Sequence, residues 1–263
     1  MSKWFFSGLA PFAALGLVLT SAAPPVTTRY RVESKTEQVV DLSGLGQGSQ
    51  TLNFTQVAIL AIASNDTTGG RTIHVVVDSI HTDAQVPGAA EAAQRAKGAW
   101  LHGIVDDWGR TRIVATSADS NEIVGQIKNS LIRFFPVVKP GTKQGDAWVD
   151  TANIESKTPA QAMNTVTVTT YTRGGTESRE GVNATRIDAK SSTSGAGTME
   201  NPQAGTMEVE LNDSSTETFF VAPDGRYLGG ESRSEGKSKV RMAVVPDPIP
   251  VTTTRTTTVT IVK

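Results

Sequence analysis

The sequence predicts an α+β fold dominated by antiparallel strands, arranged as two related halves of one continuous or paired sheet. Three observations predict it. Threonine, valine and serine dominate from about Val26 onward, and their β-branched content favours strands. Apolar residues alternate at period two between clusters of turn residues. Only one segment repeats its apolar residues clearly at helical spacing.

The chain opens Met1-Ser2-Lys3, continues almost wholly apolar from Phe5 to Leu19, and then presents Thr20-Ser21-Ala22. A basic start, an apolar run of about 10–15 residues and a small-x-small exit form an export signal, with the cut expected near Ala22 or Ala23. Residues 1–23 are therefore read as a signal peptide and the product as periplasmic or extracellular. Ser7, Gly8 and Pro11 interrupt the run, which falls short of the roughly 20 apolar residues that span a bilayer. No later segment is long enough, so the mature chain is expected to lack a transmembrane segment.

There is no cysteine, which removes disulfides, thiolate metal sites, thiol nucleophiles and a lipid-anchored cysteine together. Loss of Lys3 with the signal takes the formal net charge from −1 to −2. That balance leaves no basic footprint for nucleic acid.

Tyr30 to Glu37 alternates charged and uncharged residues, as a half-exposed antiparallel strand does. Gly44-Leu45-Gly46-Gln47-Gly48 turns the chain, and Thr51 to Ala63 returns as a strand whose second half is apolar on both faces and hence central. Arg71 to Ile80 adds a third strand, with Ile73, Val75 and Val77 on one face, and completes a meander. Ala84 to Lys97 fits either a short helix or a loose connection. Trp100 to Val105 and Arg110 to Thr116 form a hairpin about Asp106-Asp107-Trp108-Gly109. Asp119 with Glu122 has capping-box spacing, and Ile123, Ile127, Leu131 and Phe134/Phe135 recur at helical spacing until Pro136, predicting a helix over 121–135.

Val137 to Gly145 is rich in Pro, Gly and Lys and joins a first half, 24–142, to a second, 143–263. Strands are expected at Ala147–Ser156, Asn164–Thr172, Val182–Lys190, Thr206–Leu211, Thr218–Ala222, Tyr227–Met242 and Val251–Val262. Pro223-Asp224-Gly225-Arg226 turns a hairpin much as Asp107-Trp108-Gly109-Arg110 does, which hints at a diverged duplication. Ser191 to Gly205 lacks apolar periodicity and reads as a flexible excursion. The threonine-rich ending reads as an edge strand on which Arg255 discourages aggregation.

Residues for chemistry are sparse. His74 and His81 are an odd number of residues apart on one strand, which puts them on opposite faces of a regular strand and denies them a common ion. His102 beside Trp100 reads as a partly exposed strand histidine. Gly230-Glu231-Ser232-Arg233-Ser234 lacks the final glycine of a nucleophile elbow. Gly236-Lys237-Ser238 and Gly44-x-Gly46-x-Gly48 lack the helix that phosphate-binding loops need. Asp106-Asp107 is explained by its turn, and Asp146 with Asp150 reads as solvated carboxylate. The four Asn-x-Ser/Thr triplets, starting at Asn53, Asn65, Asn183 and Asn212, follow from the abundance of Ser and Thr. No catalytic, metal or cofactor residue is expected. Trp108, at a hairpin tip, either folds back on its own sheet or makes an external contact.

The segment Phe134-Phe135-Pro136-Val137-Val138-Lys139-Pro140-Gly141, followed by Gly145-Asp146-Ala147-Trp148, resembles a family of uncharacterised bacterial exported proteins, a domain of unknown function. In that family a Pro-rich stretch and a Gly-Asp-x-Trp motif open the second half. Gly225-Arg226-Tyr227-Leu228 and the terminal strands resemble its end. The resemblance implies a large curved sheet or half-barrel with one or two covering helices, similar in outline to the half-barrels of lipoprotein and lipid carriers, and it implies no activity.

Two function classes follow, neither enzymatic. In the first, an exported envelope protein binds or carries a lipid or acylated segment in an apolar groove between sheet and helix, lined by Leu60, Val75, Ile127 and Leu131. In the second, a structural or assembly protein of the envelope has a filled core there and makes contacts through edge strands. A carboxylate hydrolase would need two acids meeting in a cleft, and no spacing argues for one.

Overall fold

The structure is a computed structural model that describes residues 26–84, 88–118, 121–158, 161–201, 205–243 and 245–263. The expected signal peptide and Asp119 lie outside the described residues. Among these residues eleven strands form one curled antiparallel sheet, a half-barrel with two α-helices. They are β1 (Val26–Asp41), β2 (Ser49–Thr67), β3 (Gly70–Thr82), β4 (Trp100–Asp106), β5 (Thr111–Thr116), β6 (Ala147–Thr158), β7 (Gln161–Arg179), β8 (Val182–Asn201), β9 (Gly205–Val221), β10 (Tyr227–Met242) and β11 (Ile249–Val262). Helix α1 is Ala89–Ala96 and α2 is Glu122–Leu131.

The strand order is β5-β4-β3-β2-β1-β11-β10-β9-β8-β7-β6. Each strand follows its sequence neighbour except at one place, where β1 and β11 pair from Arg29↔Val262 to Val40↔Val251. The two halves are thereby zipped by their terminal strands into one sheet. Its free edges are β5 and β6, the strands that flank the inter-half connection.

The terminal strand is thus central, not the edge strand expected. Pairing of β11 on both sides satisfies its backbone, and Arg255 points to the concave side, where its Nε reaches Thr36 Oγ1 at 3.4 Å. Residues 191–201 are likewise no excursion. They continue β8, paired with β7 at Ser191↔Thr169 and with β9 at Ser191↔Ser215. The expected strands Thr206–Leu211 and Thr218–Ala222 are one strand, β9, because Asn212 to Glu217 keeps the alternation with polar residues facing inward.

Two rows of inward side chains explain that pattern. One runs Thr36, Arg255, Ser234, Ser215, Ser191, Thr169, Asp150 across seven strands, each residue opposite the next. The adjoining row contains Thr167 and Thr193, whose hydroxyls bond at 2.8 Å, while those of Thr169 and Ser191 bond at 2.9 Å. Most of these inward side chains are small, and where they are buried their hydroxyls satisfy one another.

At one end of the half-barrel the inner face turns apolar and is covered. Ile73, Val75, Val77, Leu101 and Val105 from β3 and β4 meet Ile123, Val124, Ile127 and Leu131 of α2, with Tyr30, Phe134, Phe135, Trp148, Tyr171 and Tyr227 in the same buried cluster. The Ile123/Ile127/Leu131/Phe135 face therefore packs on the concave side as expected. The helix is shorter than expected, and Asn121 caps it: its Oδ1 accepts from the backbone N–H of Ile123 and Val124. The same side chain donates to Ala92 O, which fastens α2 to α1.

Candidate functional site: the seam between the sheet edges

Among the described residues β5 pairs only with β4, and β6 only with β7. Each edge therefore presents a row of backbone N–H and C=O groups with no described strand beside it. Because all ten pairings between them are antiparallel, the first and last of eleven strands run in the same direction. The two edges face each other across a cleft of about 410 Å³.

One end of the cleft is built by the β4–β5 turn. Asp106 Oδ1 accepts from the N–H of Trp108 and of Arg110, and Gly109, at φ 92°, passes so close to Pro136 O that a Cβ would lie 2.3 Å from it. The turn delivers Arg110, whose Nε donates to Asp150 Oδ1 at 2.8 Å. That bond joins β5's start to β6 across the gap. At the other end, Asn129 of α2 donates to Ser156 Oγ at 3.1 Å. Thr111–Thr116 and residues 151–156 are thereby level.

The segment after α2 makes the floor. Val138 N–H donates to Trp108 O at 2.6 Å, and Trp148 Nε1 donates to Val137 O at 3.0 Å, so the segment is fastened to both sides of the seam. Ile113, Ile132, Val137, Ala152, Ile154 and Tyr171 give the cleft an apolar lining, and Arg112, Lys128 and Glu155 supply charge. Burial pushes the Tyr171 phenol up to about 12, so it stays a neutral lining group at any physiological pH. Arg133, also at the cleft, is held by Glu217 Oε1 at 2.5 Å and by Ser191 Oγ at 2.6 Å.

The groove residues of the sequence reading lie elsewhere. Leu60, Val75, Ile127 and Leu131 are 3, 0, 4 and 0% exposed and belong to the main core cluster. Trp108 folds back: its ring packs against that core and carries the Arg110 guanidinium at 4.4 Å. The seam itself was missed, since a cleft between β5 and β6 requires knowing that β1 and β11 pair. Its only trace in the sequence is the long connection between Thr116 and Ala147.

The histidine expectation is corrected. A β-bulge between Val77 and Ser79 shifts the register of β3 by one, so His74 and His81 share the convex face instead of opposing ones. His74 stands directly opposite His102 on β4, with the two Nδ1 atoms 3.3 Å apart. The His74 pKa is lowered by partial burial and by the charge of His102. Asp106 caps its turn as expected, while Asp150 is ion-paired and not simply solvated.

The convex face carries charge along whole strands: Glu231, Arg233, Glu235, Lys237, Lys239 and Arg241 on β10 are all exposed, as are Arg29, Arg31, Lys35 and Glu37 on β1. A lipid-facing barrel wall needs an apolar band there, so this face is suited to water. Among the described residues no helix is long and apolar enough to cross a membrane, and no group of three or more His, Cys, Asp or Glu could hold a metal ion.

No family model and no curated protein matches the chain. Among solved structures it is similar to mutant forms of the Rh. blastica porin, at 9–10% identity, covering 89% of this chain and 100% of the porin, with TM-scores of 0.29–0.30. A similarity at that level carries no argument about what this protein does.

Proposed function

We propose that this chain is an exported, non-enzymatic assembly protein of the bacterial envelope, and that it works by accepting an extended segment of a partner protein between β5 and β6. The observation that carries the reading is the pair of parallel, one-sided sheet edges facing across the seam. A strand inserted there antiparallel to both edges completes an all-antiparallel ring of twelve, an even number, and pairs backbone groups on both sides at once. Strand addition of this kind takes its affinity from main-chain hydrogen bonds and its selectivity from alternate side chains. Inward residues of the segment would lie over Ile113, Ile132, Val137 and Ile154, and an acidic outward residue would meet Arg112. The filled core around Leu60 and Ile127 supports contact through edges over storage of a ligand beneath the sheet.

A second reading rests on the same apolar floor: an anionic amphiphile lying in the cleft with its head at Arg112 and Lys128. Native mass spectrometry of the chain, expressed with its own leader and purified gently, separates the two. A co-purifying peptide, or uptake of a six-residue peptide alternating valine and glutamate with protection of β5 and β6 amides from hydrogen exchange, supports the strand reading. A co-purifying lipid, or uptake of decanoate without amide protection, replaces it with the amphiphile. Protein that takes up neither probe overturns both.

A further inference from the structure

We infer that His74 and His102 form an open, two-imidazole site for a borderline divalent cation, of the class of zinc, nickel and copper(II), on the convex face of the sheet. The site lies on β3 and β4, away from the concave floor of the seam, and does not rest on the seam's function.

The argument is geometric. The two residues are directly opposed across an antiparallel pair, the arrangement that brings side chains on one face closest together. Their strands are held on both sides, β3 between β2 and β4, and β4 between β3 and β5. The Cα positions are therefore fixed before any ligand arrives. The Nδ1 atoms are 3.3 Å apart. Two nitrogens bound to one tetrahedral zinc at about 2.0–2.1 Å stand about 3.3–3.4 Å apart. The spacing that the sheet imposes is thus the spacing a metal requires, and rotation about the side-chain torsions turns the lone pairs from each other toward a shared ion.

In the metal-free protein one Nδ1–H donates to the other Nδ1; on binding, the donating ring carries its proton on Nε2 instead, and the cation sits between the two Nδ1 lone pairs. Among the described residues no carboxylate bonds either ring, so nothing has to be displaced. His102 is exposed and His74 half-buried, which gives the ion an open path and leaves its remaining positions to water. Imidazole ligands suit zinc, nickel and copper, and not magnesium or calcium. The Trp100 ring lies 4.9 Å from the His102 ring and 6.2 Å from the His74 ring, so it reports on occupancy.

The test titrates the full mature chain with Cu²⁺ and Ni²⁺, following tryptophan emission, and with Zn²⁺ by calorimetry. One equivalent should bind, with saturable quenching of Trp100. His102→Asn and His74→Ala should each abolish the saturable phase. His81→Ala, on the same convex face but remote along the strand, should leave it unchanged. The exposed position of His102 keeps the fold intact in its variant, which far-ultraviolet circular dichroism verifies. Absence of saturable binding in the wild type, or equal binding in wild type and His102→Asn, overturns the site and reduces the pair to a shared hydrogen bond.

Discussion

Arg110 and Asp150 lie 40 residues apart in the chain, yet their 2.8 Å ion pair is the bond that ties one free edge of the sheet to the other. The Asp150 side chain is 14% exposed and that of Arg110 is 45% exposed. Solvent screening on the arginine side keeps its contribution to stability to about 1 kcal/mol or less. Its larger effect is on opening of the seam. Arg110→Ala should change the global unfolding free energy little, while backbone amides of β5 and of β6 near Asp150 exchange faster. Hydrogen-exchange mass spectrometry reads this directly, and unchanged exchange at both edges would show that α2 and the segment after it set the gap.

Arg133 carries the connection after α2 onto the opposite wall of the half-barrel. Its guanidinium bonds Glu217 and Ser191, and Ser215 adds a bond to the same Glu217 oxygen at 2.9 Å. The Glu217 side chain is 11% exposed and that of Arg133 26%, so removing the carboxylate charge leaves a mostly buried guanidinium without its anionic partner. Glu217→Gln should cost about 1.5–3 kcal/mol, the range for hydrogen bonds to charged groups. The matching chemical-denaturation midpoint should fall without a change in slope, because the surface exposed on unfolding stays the same.

Where the sequence was legible, its pattern arose from one local constraint. The alternation of Ile73, Val75 and Val77, the helical spacing of Ile123, Ile127 and Leu131, and the turn residues around Gly109 and Gly225 each answer to burial or backbone geometry nearby. The concave rows answer to something remote. Ser191, Thr193, Gly195 and Gly197 face the concave side of a sheet whose halves are joined by β1 and β11, paired 200 and more residues apart in the chain. A polar inner face removes the apolar signal that marks a strand, so residues 191–201 resembled a loop. The bulge in β3 hides in the same way: one extra residue reverses the parity on which the separation of His74 from His81 was judged. The seam inherits both difficulties, since its two walls come from opposite ends of the strand order.

Gly197 tests whether the curl depends on small inner residues. A Cβ there would lie 2.1 Å from Ala162 O and 2.6 Å from Met163 Sδ, and the first of these is backbone that cannot step aside without breaking the β7–β8 register. Gly197→Val offers high strand propensity and should still destabilise, by about 1–3 kcal/mol as an overpacked site does. Ala196→Val, one residue away on the exposed face, should be neutral or slightly favourable. Thermal melts of the pair decide it: two equally stable variants would mean that the inner face has slack and that glycine serves another purpose.

The chain's three tyrosines all lie inside, and this gives the fold an alkaline limit. Burial raises Tyr30 and Tyr171 to about 12 and Tyr227 further still. Tyr30 donates its hydroxyl to Tyr227 O at 2.9 Å, a bond that its phenolate cannot make. In the unfolded chain each phenol ionises near the ordinary value of about 10, so between about pH 10 and 12 the unfolded state binds fewer protons than the folded one. Stability is therefore full below pH 10 and falls as pH rises through that window, by roughly 1.4 kcal/mol per pH unit for each tyrosine. Phenolate absorbance should stay flat past pH 10 and then rise together with loss of the far-ultraviolet strand signal. Tyr30→Phe should move that transition to higher pH relative to its own neutral-pH stability. An absorbance step at pH 10 with the strand signal intact would place at least one of these phenols in water.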